Sequence, residues 1–232
     1  MPRSCSIFVV SLLLCPVLPG CLSEEDAAEG DQESDTESAA LSTTRFQNGV
    51  SPSSSYAGAT DTTLTQAAPT SAGGGASTVT ADFDDPPGTR QSVNGLLRFD
   101  LGAIAPGRRV TAVTLSLRVT NRTSGSGYQI HPLSRAWAEK EATWREAKTG
   151  TPWASPGARG AADRLRTVMA SLAPAATGLV TVTFNASGIA AVQSWIDKPS
   201  TNFGVVIDTN DNADGLAFDS SNAAVPANRP AL

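Results

Sequence analysis

Short runs of alternating apolar and polar residues, each closed off by turn-forming residues, constrain this chain more than any other feature. Val113-Thr-Leu115-Ser-Leu117-Arg-Val119 and Val180-Thr-Val182-Thr-Phe184 repeat with a period of two, the signature of a strand with one buried face. Phe203-Gly-Val205-Val206-Ile207 reads as a more deeply buried strand. Further strands are expected over 61–65, 77–81, 96–101, 128–132 and 216–220. Asn48-Gly49, Pro86-Pro87-Gly88, Ala105-Pro106-Gly107 and Ser124-Gly125-Ser126-Gly127 punctuate them. One helix is expected, entered at Asn185 and carrying Ile189, Val192, Trp195 and Ile196 on one face, with Pro199 closing it. The pattern predicts an all-β chain, an antiparallel β-sandwich of jelly-roll type with one short helix.

The first 44 residues lie outside that pattern. Arg3 and the apolar run 7–14 form the n- and h-regions of a signal peptide, too short to span a bilayer. Leu18-Pro-Gly-Cys21 resembles a bacterial lipobox, with a proline that is unusual in its middle. Processing there makes 1–20 the signal peptide and Cys21 the lipidated residue, and removes Cys5 and Cys15, so no disulfide remains available. Leu22, rather than Asp, follows the cysteine, which by resemblance to sorted lipoproteins directs the protein to the outer membrane or cell surface. Residues 21–44 carry eight acids and no base before Arg45, so they should form a solvated tether. Setting aside those acids and Arg3 leaves 16 basic against 14 acidic residues in the expected domain, 45–232. No basic stripe interleaved with aromatics appears, which excludes nucleic acid as a partner.

Several ordered motifs in 45–232 carry a family resemblance. Phe46-QNGVSPSSSYAGATDTT-Leu64, Leu96-LRFD-Leu101 and Val110-TAVTLSLRV resemble the opening of DNRLRE-type domains, classified as family 96 carbohydrate-binding modules. The likeness continues through Trp137-Ala-Glu139, Thr143-Trp144, Thr151-Pro-Trp153, Ala191-Val-Gln-Ser-Trp195, Thr201-Asn-Phe-Gly204 and Arg229-Pro-Ala-Leu232. It implies a β-sandwich module of secreted or surface bacterial proteins, in some relatives a binder of acidic polysaccharide such as alginate. In that family the chain runs on past Arg-Pro-x-Leu as a closing strand. Here it stops at Leu232, so the expectation is a missing last strand with an open edge, or a truncated sequence.

Catalytic constellations are sparse. His131 stands alone in an expected strand, no G-x-S-x-G elbow occurs, and no His, Cys and carboxylate set has zinc spacing. Tyr128 could serve a lyase as base, but nothing in the sequence positions an arginine beside it. The chain is therefore expected to be non-catalytic and to need no cofactor. Asp208-Thr-Asn-Asp211-Asn-Ala-Asp214-Gly215 clusters oxygen ligands, and from Asn210 it follows an EF-hand register until Ser221 replaces the bidentate Glu. It reads first as a polar hairpin loop between the strands 205–207 and 216–218. A structural calcium on Asp208, Asp211 and Asp214 is the alternative, and Asp82, Asp84 and Asp85 form a weaker one.

Three of the four tryptophans, Trp137, Trp144 and Trp153, fall within 137–153. Aromatic rings suit the C–H face of a pyranose, but equally anchor a long segment to a core. Trp137 and Trp144, in a crossover expected to hold no strand, are assigned as anchors, with Glu139 available to an indole N–H or to backbone amides. Trp195 belongs to the helix's apolar face. Trp153, among prolines and small residues, is the expected exposed ring. Arg135, Lys140, Arg145, Lys148 and Arg159 surround the cluster and suit uronate carboxylates. Arg98 should reach the same face, because Leu97 and Phe99 take the other. The sequence thus points to a lipid-anchored module binding an anionic polysaccharide, with an adhesive module for a protein partner as the alternative. Its candidate site is Trp153, Arg98, Arg135, Arg145 and Lys148.

Overall fold

In the computed structural model, which describes residues 41–124, 127–209 and 211–232, the alternating runs pair as two stacked antiparallel sheets. The expected signal peptide, Cys21, the tether up to residue 40 and Asn210 lie outside the described residues. The larger sheet has the order β1 (Ala59–Thr65), β3 (Val93–Phe99), β10 (Val205–Asp208), β5 (Tyr128–Pro132) and β8 (Ala170–Leu172). The smaller has the order β2 (Thr78–Ala81), β11 (Leu216–Asp219), β4 (Thr114–Asn121) and β9 (Gly178–Thr183). A two-stranded hairpin, β6 (Glu146–Lys148) and β7 (Thr151–Pro152), stands apart from both. With β1 and the hairpin set aside, eight strands remain. Numbered along the chain, one sheet reads 1-8-3-6 and the other 2-7-4-5, which is jelly-roll topology. All of this belongs to one compact unit, Ser42–Leu232.

The period of two does what it predicts. Along β4, Leu115, Leu117 and Val119 turn inward while Thr114 and Arg118 stay exposed. They meet Leu97, Phe99, Ile130, Val205 and Ile207 of the larger sheet and Phe218 of β11 in the inter-sheet core. Helix α1 (Ala186–Asp197) closes one end, its Asn185 side chain accepting from Gly188 N–H at 3.0 Å. That satisfies one orphan donor of the first turn. Pro199 then opens a 3-10 turn and stops the helix.

Two expectations need correction. The segment 208–215 is not a hairpin loop, because β10 and β11 belong to different sheets and the chain crosses the sandwich between them. The tryptophan crossover does contain strands, the β6–β7 hairpin. At the end of the described chain, Ala231 exchanges backbone hydrogen bonds with Ser116 of β4 at 2.7 and 3.0 Å, and Leu232 does so with Phe46 at 2.8 and 3.1 Å. Arg229 secures this corner from its side chain, donating to the carbonyls of Ala223 and Asn48.

β3 is buried along nearly its whole length, which one core cannot explain. Its inward residues Leu97 and Phe99 face the smaller sheet, while Leu96 on the opposite side joins a second cluster with Leu64, Val206, Leu133 and three tryptophans. The segment 134–163 forms a third layer over the outer face of the larger sheet.

Candidate functional site

The third layer is built from indoles. Trp137, Trp144 and Trp153 are 6%, 6% and 4% exposed, and each packs in the second cluster. Trp137 Nε1–H donates to the Phe203 carbonyl at 2.8 Å, and Trp153 Nε1–H to the Thr143 carbonyl at 2.9 Å. Backbone carbonyls, not Glu139, satisfy these rings; Glu139 accepts instead from Asn222 Nδ2 at 3.2 Å. Trp144 lies so close to Gly157 that a Cβ there would sit 2.5 Å from the ring, and Gly157 has φ +79°. Glycine is required on both counts. Trp195, 7% exposed, sits in the main core beneath α1.

Trp153 overturns its expectation as the exposed ring. Its N–H bonds to the Arg145 carbonyl at 3.0 Å, extending the hairpin pairing. Pro152 faces solvent and Trp153, next along the chain, turns down among the residues that cover Leu96 and Val206. Alternation along an extended segment decides this, and a flanking proline does not.

The cations divide into three groups. Arg135 is taken: its Nε–H donates to Asp163 at 2.7 Å. Asp163 is fully buried and also accepts from the N–H groups of Ala154, Ser155 and Gly160 at 2.9, 2.9 and 3.1 Å. It organises the loop beneath the hairpin and occupies the Nε–H of Arg135, whose side chain remains partly exposed. Lys140, Arg145 and Lys148 are exposed on the layer's surface. Arg98 and Arg159 form the third group. Their guanidinium carbons lie 5.9 Å from the Trp137 ring and 5.3 Å from the Trp144 ring, within cation–π range. Neither guanidinium makes a hydrogen bond or ion pair with any described residue. Burial pulls the Arg159 guanidinium below its ordinary pKa, with Asp208 opposing.

Beside Arg98 a cleft of about 330 Å³ opens at the end of β3. Arg98 and Asp100 hold its polar rim, and Ile104, Trp195, Ile196 and Pro199 contribute its apolar walls. Asn202 ties the walls to the strand, its Nδ2 donating to the Phe99 carbonyl at 2.8 Å and its Oδ1 accepting from Gly204 N–H at 3.2 Å. Sequence reasoning missed this cleft, since 98–106 and 195–202 are distant in the chain. The short motif Thr201-Asn-Phe-Gly204 was its one visible trace.

The acidic candidates do not converge. Asp208 pairs with Arg164 at 2.6 Å, Asp211 is exposed with φ +58°, and Asp214 accepts from both Ser124 N–H and its hydroxyl. Those Ser124 bonds lower the Asp214 pKa. Asp84 likewise caps a turn, accepting from Gly88 and Arg90 N–H. Among the described residues no group of three or more His, Cys, Asp or Glu side chains could hold a metal ion. His131 is buried with Nδ1 3.1 Å from the Thr167 carbonyl, and burial lowers its pKa. Tyr128 is wholly buried, its hydroxyl donating to the Asp214 carbonyl at 2.8 Å, and burial raises its pKa. Neither faces the cleft.

Residues 52–162 match the model of carbohydrate-binding module family 96. The span runs from just before β1 to the end of the tryptophan layer and includes Arg98, Asp100 and Arg159. No curated protein matches the chain.

Proposed function

We propose that this carbohydrate-binding module is non-catalytic, that its ligand is an anionic polysaccharide of the polyuronate type, alginate being the model case, and that lipidated Cys21 holds it at the cell envelope. One observation carries the ligand class. The guanidinium carbons of Arg98 and Arg159 lie over the rings of Trp137 and Trp144, within cation–π range, without a carboxylate partner among the described residues. A guanidinium positioned by a ring presents a planar fork of N–H donors at reduced entropic cost, and that fork matches a carboxylate. The buried indoles thus support binding indirectly, by orienting cations. Exposed Arg145 and Lys148 add a screened, longer-range attraction. The anchoring rests on Leu18-Pro-Gly-Cys21 and the acidic tether alone.

The test is binding of the full chain to alginate and to a neutral glucan across a salt series, for wild type and for Arg98→Ala with Arg159→Ala. Exposed charge pairs weaken as the screening length shortens from about 10 Å at 0.1 M toward about 3 Å at 1 M. Alginate binding should fall along that series and in the double variant. Equal binding to both glycans, or indifference to salt, sinks the electrostatic reading. A blank response to every glycan alongside capture of a protein favours the adhesive alternative.

A further inference from the structure

The cleft at the end of β3 has a polar rim of opposite charges that are not paired with each other. Arg98 and Asp100 both line it, yet no ion pair joins them. Such neighbours usually neutralise one another unless the backbone holds them apart, and here it does. Asp100 is fixed at four points. Its N–H donates to the Gly58 carbonyl at 2.8 Å, and its carbonyl accepts from the Tyr56 hydroxyl at 3.0 Å. Its Oδ1 accepts from Gly102 N–H at 2.9 Å. Gly58 packs so tightly that a Cβ would sit 2.7 Å from both Asp100 Cβ and the Tyr56 ring. Arg98, two residues earlier on the same side of β3, is drawn the other way by Trp137. This leaves Asp100 Oδ2 without a partner among the described residues, a free guanidinium across the rim, and apolar walls of Ile104 and of Trp195 and Ile196 from α1.

We propose that this cleft is a subsite for a single pyranose of the bound chain, and that it sets the chain's orientation. The inference rests on the polysaccharide reading above and adds where one sugar sits and which way it faces. A pyranose has an apolar C–H face and an edge of hydroxyls that both donate and accept. The walls suit the face. Asp100 Oδ2 accepts from a hydroxyl, and Arg98 donates to an oxygen. A carboxylate placed next to Asp100 meets like charge in a partly desolvated cleft. The hydroxyl edge therefore turns toward Asp100, and any carboxylate on the sugar turns toward Arg98 and the tryptophan layer. A volume of about 330 Å³ lies at the small end of ligand sites, which fits one sugar rather than a length of chain. Asp100 is thereby a specificity residue that selects against carboxylates on one side of the cleft.

The experiment is calorimetric titration of the full chain with an alginate oligosaccharide, for wild type, Asp100→Ala, Asp100→Asn and Ile104→Trp, with a thermal melt of each. Asp100→Ala should weaken binding about tenfold or more with little change in Tm, because Asp100 is exposed. Asp100→Asn keeps an acceptor for Gly102 N–H and for a hydroxyl but no longer repels carboxylate, so it should bind better than Asp100→Ala. Ile104→Trp fills the cleft without touching its charges and should also reduce binding. If wild type binds and Asp100→Ala and Ile104→Trp bind equally well, the cleft is not a subsite although the polysaccharide reading stands. If wild type binds no polyuronate at low salt, that reading falls and the subsite with it. Should one variant melt at room temperature, the other still decides.

Discussion

Replacing Asp61 with asparagine should improve the stability of the folded chain relative to wild type as pH rises from acid to neutral. Asp61 belongs to β1, is 2% exposed, and accepts from Ser221 N–H at 2.5 Å through Oδ2. Burial raises its pKa from 3.8 to about 6, opposed by the Ser221 hydrogen bonds and assisted by the charge of Glu139. Below about pH 4 the carboxyl is neutral in both the folded and the unfolded chain. Between about pH 4 and pH 6 the unfolded chain ionises while the folded chain resists, so stability falls as pH rises. Above pH 6 both states are ionised and the loss is constant. Each pH unit between the two pKa values corresponds to about 1.4 kcal/mol, so the whole loss is about 3 kcal/mol. Asparagine has nearly the same shape and retains an acceptor for Ser221 N–H, but never ionises. Whatever its extra N–H costs is independent of pH and drops out of the comparison. Urea unfolding of both proteins at pH 4, 6 and 8, with slopes checked for equality, measures the quantity. The advantage of asparagine should grow by about 2–3 kcal/mol between pH 4 and pH 8. Parallel stability profiles refute the reasoning, and a wild type that gains on the variant as pH rises shows that Ser221 outweighs burial.

The remaining predictions concern the third layer and the anchor. Trp153→Ala should cost about 3–5 kcal/mol, as for a buried aromatic, and a melting curve within a degree of wild type contradicts its burial. Asp163→Ala leaves three part-buried backbone amides and the Arg135 guanidinium without their acceptor. It should cost about 3–5 kcal/mol and expose the 154–163 loop to limited proteolysis; an unaltered cleavage pattern counts against its organising role. Cys21→Ala should shift the protein from the detergent phase to the aqueous phase on partitioning, and unchanged partitioning removes the lipid anchor.

Local pattern was enough to read the strands and the helix. Leu115, Leu117 and Val119 share a face because successive side chains on a strand point to opposite sides. Asn185 and Pro199 bound the helix because one supplies an acceptor for free N–H groups and the other lacks a donor. Each of these effects acts within a few residues, and the ordered motifs that align with the family are equally local. What depended on distant partners could be read only from the folded chain. Whether 208–215 closes a hairpin or crosses the sandwich depends on which neighbours β10 and β11 find, and both crossings preserve the same alternation. Trp153 is buried because a hairpin lies on Leu96 and Val206. Arg135 is committed because Asp163, 28 residues away, is held beneath it. The cleft that joins Arg98 and Asp100 to α1 exists because the end of β3 and the helix meet at one end of the sandwich. Hydrophobic periodicity says which residues leave water, but the choice of partner for a charge or a ring is a tertiary contact, made once the sheets have stacked.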